Sequence, residues 1–353
     1  MLDGLVPYVA GEQPKDMKYI KLNTNENPYS PSPKVLEAIK NFDYSALKLY
    51  PDPEAGELKE AVSEFYGVEQ KNVFCGNSSD EILAMAFMAF FTGDKTLIFP
   101  DITYSFYPVW CDVFGIKKQI IPLKDDWTFD FENFPKNAGG IVICNPNAPT
   151  GIAVKRAQIE DILRKFPDTL ILCDEAYIDF GGESCIELTQ KHDNILVVHT
   201  LSKSRSLAGA RVGFAIGNAE LISSLDSIKN SFNSYTIDRL SLKTAAAAIK
   251  DREYFENCLK KVIGTRNWAT QELRKLNFEV LESSANFIFA RPTKFISEGM
   301  SAQKLYEKLK ENGILLRFWN KPRISDWLRI TVGTDAEMKA LLDEIAKLGF
   351  LRK

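Results

Sequence analysis

The chain has 353 residues, 45% apolar and 26% charged, with 44 basic against 47 acidic side chains and a formal charge of −3. These are the proportions of an ordinary folded protein with material for one large and one smaller unit. The near balance of mixed signs excludes the basic stripe of a nucleic-acid binder, and the longest apolar run, Ile82 to Phe91, is half of the ~20 residues a membrane helix needs.

The opening Met1-Leu2-Asp3-Gly4-Leu5-Val6-Pro7 has no basic region followed by an apolar one, so no secretory leader is expected. The next residues are rich in Pro, Asn and Ser with little periodicity, which predicts a covering arm over residues 1–45. Strand-like runs then recur at Val73–Cys75, Thr96–Phe99, Ile120–Ile121, Ile141–Cys144, Leu170–Cys173, Ile195–His199 and Val212–Ile216. Between them lie helical stretches such as Asp80–Phe91, Ser105–Phe114 and Lys155–Lys165. Strands apolar on both faces and alternating with helices predict an α/β unit over residues 46–248, its mostly parallel sheet covered on both sides and with room for one antiparallel strand. Beyond about Leu221 the pattern changes. Helices over Asp238–Lys250 and Arg252–Leu276 lead to short strands at Phe278–Leu281, Asn286–Ala290, Gly313–Leu316 and Leu328–Val332. Helices at Ala302–Asn312 and Asp335–Leu348 complete a smaller α/β unit over residues 249–353.

The chemistry is narrowed by scarcity. Only His192 and His199 are present, and no His-Glu-x-x-His or His-Cys-Cys grouping occurs, which disfavours a metal site and a histidine-based triad. Acid–base work would fall to lysine, tyrosine or a carboxylate. Cysteines 75, 111, 144, 173, 185 and 258 have no Cys-x-x-Cys spacing and fit buried free thiols in a reducing, cytoplasmic setting.

Ligands of open α/β sheets sit beyond the carboxyl ends of the strands. There the sequence places Gly76-Asn77-Ser78-Ser79-Asp80, Asn145-Pro146-Asn147-Ala148-Pro149-Thr150-Gly151, Asp174-Glu175-Ala176-Tyr177 and Thr200-Leu201-Ser202-Lys203. The first has the makings of an anion site at a helix start, although taken alone Ser79 or Asp80 reads first as an ordinary N-cap. Lys203 follows a buried strand with Arg211 eight residues on. Burial and a neighbouring guanidinium would both favour its free amine, a nucleophile and base.

These motifs, with Ala208-Gly209-Ala210-Arg211-Val212-Gly213, closely resemble fold-type I pyridoxal-5′-phosphate aminotransferases. Pro7-Tyr8, Leu22-Asn23-Thr24-Asn25-Glu26-Asn27-Pro28, Tyr50-Pro51-Asp52-Pro53, Ala285-Asn286-Phe287 and Leu328-Arg329-Ile330-Thr331-Val332-Gly333-Thr334 are similar, more narrowly, to the histidinol-phosphate aminotransferase family. The resemblance implies a seven-stranded large-unit sheet and an arm that joins the smaller unit. By it, Lys203 would carry pyridoxal 5′-phosphate covalently and shuttle a proton, while Asp174 would face the ring nitrogen. Tyr177 would bond the ring 3′-oxygen, and Tyr104 would stack on the ring. Ser79, Asp80, Thr200, Ser202 and Arg211 would form the phosphate cup, and Tyr50 would reach the phosphate from the other subunit of a homodimer. Read by itself, Tyr50-Pro51-Asp52-Pro53 is a rigid turn. The family usually has Asn before Pro-Thr-Gly, where this chain has Ala148, so Asn147, a water or Tyr177 alone would serve the ring oxygen; Leu49 stands where an arginine often precedes Tyr-Pro. Arg329 would clamp the substrate anion with Arg317, beside Tyr8 and Asn25, and Arg323 is a competitor for that role.

The expected reaction exchanges an amino group between L-histidinol phosphate and 2-oxoglutarate. Alternatives are an aromatic amino-acid aminotransferase and a decarboxylase of a phosphorylated amino acid. A cofactor-binding regulator would need a further DNA-binding domain, and a dehydrogenase would need a Gly-x-Gly-x-x-Gly fingerprint that is absent.

Overall fold

The computed structural model describes residues 4–350; residues 1–3 and 351–353, where the expected arm begins and the expected small unit ends, lie outside the described residues. The chain enters through a short strand, β1 (Ile20–Lys21), and two helices, α1 (Pro33–Lys40) and α2 (Gly56–Tyr66). Ser32 caps α1 on the Val35 N–H, with Pro33 in the first turn, where no N–H is needed. Neither helix is among those the sequence pattern predicts.

Seven strands then build one sheet: β2 (Val73–Gly76), β3 (Thr96–Pro100), β4 (Lys118–Ile121), β5 (Ala138–Cys144), β6 (Ile171–Asp174), β7 (Ile195–Thr200) and β8 (Gly213–Gly217), in the spatial order β2-β8-β7-β6-β5-β3-β4. All pairings are parallel except those of β8, which runs antiparallel to both β2 and β7. Because β8 is reversed, its first residue, Gly213, lies at the edge where β2 and β7 end, opposite Gly76 and Thr200. Alternation divides the core in two. Val142, Leu172 and Val198 pack on one face, and Ile141, Ile143, Cys173 and Val197 on the other. Strand β5 starts three residues before the expected Ile141, since Gly139 and Gly140 hide its beginning; a Cβ on Gly140 would meet Phe91 at 2.3 Å. All six cysteines are buried and free.

Helices α3 (Ser78–Phe90), α4 (Tyr107–Phe114) and α5 (Arg156–Lys165) are the crossovers. Helix α4 begins two residues later than expected, with Pro108 in its first turn. After β8 come α6 (Ala219–Phe232), α7 (Arg239–Lys250) and the long α8 (Arg252–Lys275). The second sheet is antiparallel, in the order β12-β13-β10-β9, from β9 (Glu279–Val280), β10 (Phe287–Arg291), β12 (Arg317–Phe318) and β13 (Leu328–Thr331). Helices α9 (Thr293–Ser297), α10 (Ala302–Glu311) and α11 (Asp335–Phe350) accompany it. Strand β11 (Ile314–Leu315) instead pairs with β1 of the arm, Ile20 opposite Ile314. No helix of the described residues is long and apolar enough to cross a membrane.

Candidate active site

A cavity of about 480 Å³ opens at the carboxyl ends of β5, β6 and β7, walled by the arm on one side and by β12 and β13 on another. Of the residues singled out from the sequence, all but Asn147, Tyr50 and Arg323 line it.

Lys203 lies three residues beyond β7 and is held there from two sides. Its carbonyl accepts the Asn27 side-chain amide at 3.0 Å, and the hydroxyl of the next residue, Ser204, donates to Asp179 at 2.5 Å. Among the described residues the ammonium donates one hydrogen bond, to the Thr24 carbonyl at 3.4 Å, and lies 5.7 Å over the Tyr177 ring. Burial brings its pKa down to about 8, and the cation that adds most to this is Arg329, with Arg211 a smaller contributor. Sequence proximity pointed to Arg211; the fold brings a guanidinium 126 residues away closer in effect.

Asp174 ends β6 and is buried. Tyr107 donates its hydroxyl to Oδ2 at 2.7 Å, and the Ala176 N–H reaches Oδ1 at 3.2 Å. Burial still pushes the carboxyl up to about 6, against those two bonds. Tyr107 was read from the sequence only as part of an apolar helix. The available signal was its place at the very start of that helix, beside the strand ends that carry the polar residues. Tyr177 accepts a bond from Asn25 Nδ2 at 3.1 Å, so its own proton is left for an acceptor in the cavity. Burial pushes the Tyr177 phenol up to about 12. Asn25 is itself fixed, by Thr331 at 2.9 Å and by the Asn286 amide on its carbonyl at 2.9 Å.

An anion cup forms where α3 starts. Ser79 and Asp80 present the first-turn amides of this helix, whose cap residue Asn77 makes no side-chain cap bond. Neither Ser79 nor Asp80 is therefore the N-cap. Arg211 donates to Ser78 Oγ and to Asp80 Oδ2, both at 2.8 Å, and Tyr104 donates to Asp80 Oδ1 at 2.9 Å. Ser78 and Arg211 both have left-handed backbones, φ 71° and 53°, a strain that non-glycine residues hold only when surrounding bonds demand it. Gly213 makes the close approach possible, since a Cβ there would sit 2.6 Å from the Ser79 nitrogen. Thr200 donates to Ser202 at 2.9 Å, which leaves the Ser202 proton free for the cup.

Opposite the cup, β12 and β13 set Arg317 directly across from Arg329. Like charges so paired repel, and neither has a carboxylate within 4 Å among the described residues. Arg317 gives one Nη1 and one Nη2 hydrogen to the carbonyls of Ala10 and Val9, and Arg329 one Nη2 hydrogen to that of Asn23, which leaves further donors on both. Arg329 Nε is buried without a partner. Tyr8 closes this side, stacked on Phe106 at 4.3 Å.

Two expectations change. Arg323 is no competitor for the anion, because Asp101 at 2.6 Å and the carbonyls of Leu123 and Lys124 occupy it outside the cavity. Asn147 cannot stand in at Ala148: its amide donates to the Ile102 carbonyl at 2.9 Å and to Thr150, while Ala148 takes the place on the wall. Tyr50 lies outside its own chain's cavity, 75% exposed and stacked on Tyr235 at 4.6 Å.

The family model for aminotransferase class I and II matches residues 17–345, and the chain belongs to that family. A histidinol-phosphate aminotransferase of Clostridium acetobutylicum is 51% identical over 341 residues, 97% of this chain and 96% of its own. Another, of Clostridium beijerinckii, is 49% identical over 96% of this chain and 93% of its own. Within its class the chain belongs with the histidinol-phosphate aminotransferases. The solved histidinol-phosphate aminotransferase of Sinorhizobium meliloti in complex with pyridoxal-5′-phosphate matches with a TM-score of 0.84 at 24% identity, over 94% of this chain and 92% of that one. L-threonine-O-3-phosphate decarboxylase of Porphyromonas gingivalis matches at 0.79 and 21% identity, over 94% and 99%. Such distant likeness fixes the fold as fold-type I and does not select a substrate.

Proposed function

We propose that this protein exchanges an amino group between L-histidinol phosphate and 2-oxoglutarate, running in biosynthesis from imidazole-acetol phosphate and glutamate, with pyridoxal 5′-phosphate as cofactor. The observation that carries the reading is the facing of one half-buried, readily neutralised lysine and a cross-strand arginine pair that has no carboxylate within 4 Å among the described residues.

The residues present fit the cofactor. The Ser79 and Asp80 amides, the Ser202 hydroxyl oriented by that of Thr200, and Arg211 would hold its phosphate. Asp174 would hold a proton at the ring nitrogen, and the free Tyr177 proton would meet the ring oxygen. When bound, pyridoxal phosphate supplies an electron sink for the bond broken at the amine-bearing carbon. Lys203 Nζ would hold the cofactor and serve as the base at that carbon. Arg329 and Arg317 hold the substrate's anion, phosphate in one half-reaction and carboxylate in the other; a guanidinium pairs with both.

The same reading divides the chain into arm (1–45), large unit (46–248) and small unit (249–353), in the cytoplasm. A second copy completes the site. Leu36, Tyr44, Leu47, Leu49 and Tyr50 are exposed apolar side chains, and Tyr50 stacks on the exposed Tyr235, a surface suited to a two-fold partner whose cup Tyr50 would reach.

The test is a competition among amino donors with wild type, Arg329→Lys and Arg329→Met. Histidinol phosphate is expected to lead, and Arg329→Met to lose about 100-fold in kcat/KM, with Lys recovering part of it. Preference for phenylalanine, or carbon dioxide release without a keto acid, would overturn the assignment.

A further inference from the structure

His199 has no part in the cavity, yet it is buried at the heart of the large unit. Side chains alternate along β6 and β7, so Asp174 and Thr200 face the cavity while their chain neighbours Glu175 and His199 turn to the opposite face. There His199 Nε2 lies 2.9 Å from Glu175 Oε2, the two residues 3% and 1% exposed. Glu175 also accepts the Ser184 hydroxyl at 2.6 Å and the Cys185 N–H at 2.7 Å. The latter two contacts are donors, which suits an ionised carboxylate and makes His199 Nε2 the third, carrying the proton. The imidazole is sandwiched by Phe214, stacked at 5.1 Å, and meets the Tyr66 hydroxyl with Nδ1 at 3.4 Å. Asp179 and Arg205 are the charged groups next in line around Tyr66.

A buried carboxylate is costly unless its lone pairs are filled, and apolar residues would join two strands at less cost. What the pair does have is its place in the chain. Glu175 adjoins the acid Asp174, and His199 adjoins Thr200 of the anion cup. We propose that Glu175 and His199 are a positioning pair that locks the ends of β6 and β7 together and so sets the separation between Asp174 and the Thr200–Ser202 hydroxyls. The proposal rests on the cofactor reading above: ring nitrogen and phosphate belong to one rigid molecule, so their receptors must keep a fixed spacing.

The test compares His199→Phe, which keeps the stacking on Phe214 but removes the donor, with His199→Gln, which returns an N–H. Cofactor Kd is measured on dialysed protein, and the visible absorbance of the loaded enzyme is titrated with pH. His199→Phe is expected to weaken cofactor binding about tenfold or more and to move the titration midpoint by about 0.5 pH or more. Its KM for the amino donor should stay within about twofold, and His199→Gln should restore Kd to within about threefold. A folded His199→Phe protein with wild-type Kd and a wild-type titration curve overturns the proposal. Where that variant does not fold, Ser184→Ala, which removes one hydroxyl from Glu175, decides instead: Kd weakened about threefold supports the pair, and an unchanged Kd and midpoint sinks it. A wild-type protein that never gains visible absorbance would be a failure of the cofactor reading itself, distinct from either result.

Discussion

Tyr107 donates its phenolic proton to Asp174 Oδ2 across 2.7 Å, and both side chains are shut away from water. The bond opposes the burial that drives the Asp174 carboxyl up to about 6. Folding raises this pKa from about 3.9, so the carboxyl's contribution to stability is fully present below the unfolded value and is lost as pH rises through about 6.

Tyr107→Phe moves the folded value higher still. In cofactor-free protein the variant should lose about 1.5–3 kcal/mol at pH 8, the worth of a hydrogen bond to a charged group, with a smaller gap at pH 5 where Asp174 carries its proton. Chemical denaturation at the two pH values checks this, and an equal gap at both would refute it.

Lys203 titrates in the opposite sense. Its folded value is depressed to about 8, so the amine's contribution to stability is present above the unfolded value of about 10.4 and is lost as pH falls through about 8. The rate of cofactor attachment to stripped protein should climb through that range and level off above it, because only the free amine attacks. Arg329→Met removes the most influential neighbouring cation and should shift the profile to higher pH, while Arg329→Lys should leave it nearly in place. Stopped-flow absorbance would show both.

Ala148 is a buried part of the cavity wall with no polar atom to offer. Ala148→Asn supplies a donor on the wall at the position where the family usually carries one. A negative ring oxygen that gains a donor holds the neighbouring proton less tightly, so the titration midpoint of the loaded enzyme should fall. Superimposable curves would deny the position any role.

Much of this architecture could be read in advance, for identifiable reasons. The strands of the large sheet are apolar on both faces and end in polar or glycine-rich turns, so their runs stand out. The residues at those ends line one cavity because a mostly parallel sheet brings them to one edge. The antiparallel β8 is legible only in three dimensions, since its own residues look like those of its neighbours. Tyr107 was hidden because a tyrosine in an apolar helix looks like packing until its hydroxyl finds Asp174. Arg323 and Asn147 misled for a common reason: a polar side chain next to a motif can be consumed by a local partner, Asp101 in one case and the Ile102 carbonyl in the other. The influence of Arg329 on Lys203 belongs to the fold, because nothing local in the sequence joins them.

The arm pairs β1 with β11, and the Asn25 N–H donates to Thr331 across 306 positions of chain. Translation therefore delivers one wall of the pocket first and its mate almost last. A nascent polypeptide halted on the ribosome near residue 300 could already hold the seven-stranded sheet, while the amino-terminal stretch would still await β11 and β13. The pocket therefore has both of its walls only once nearly the whole chain has been made.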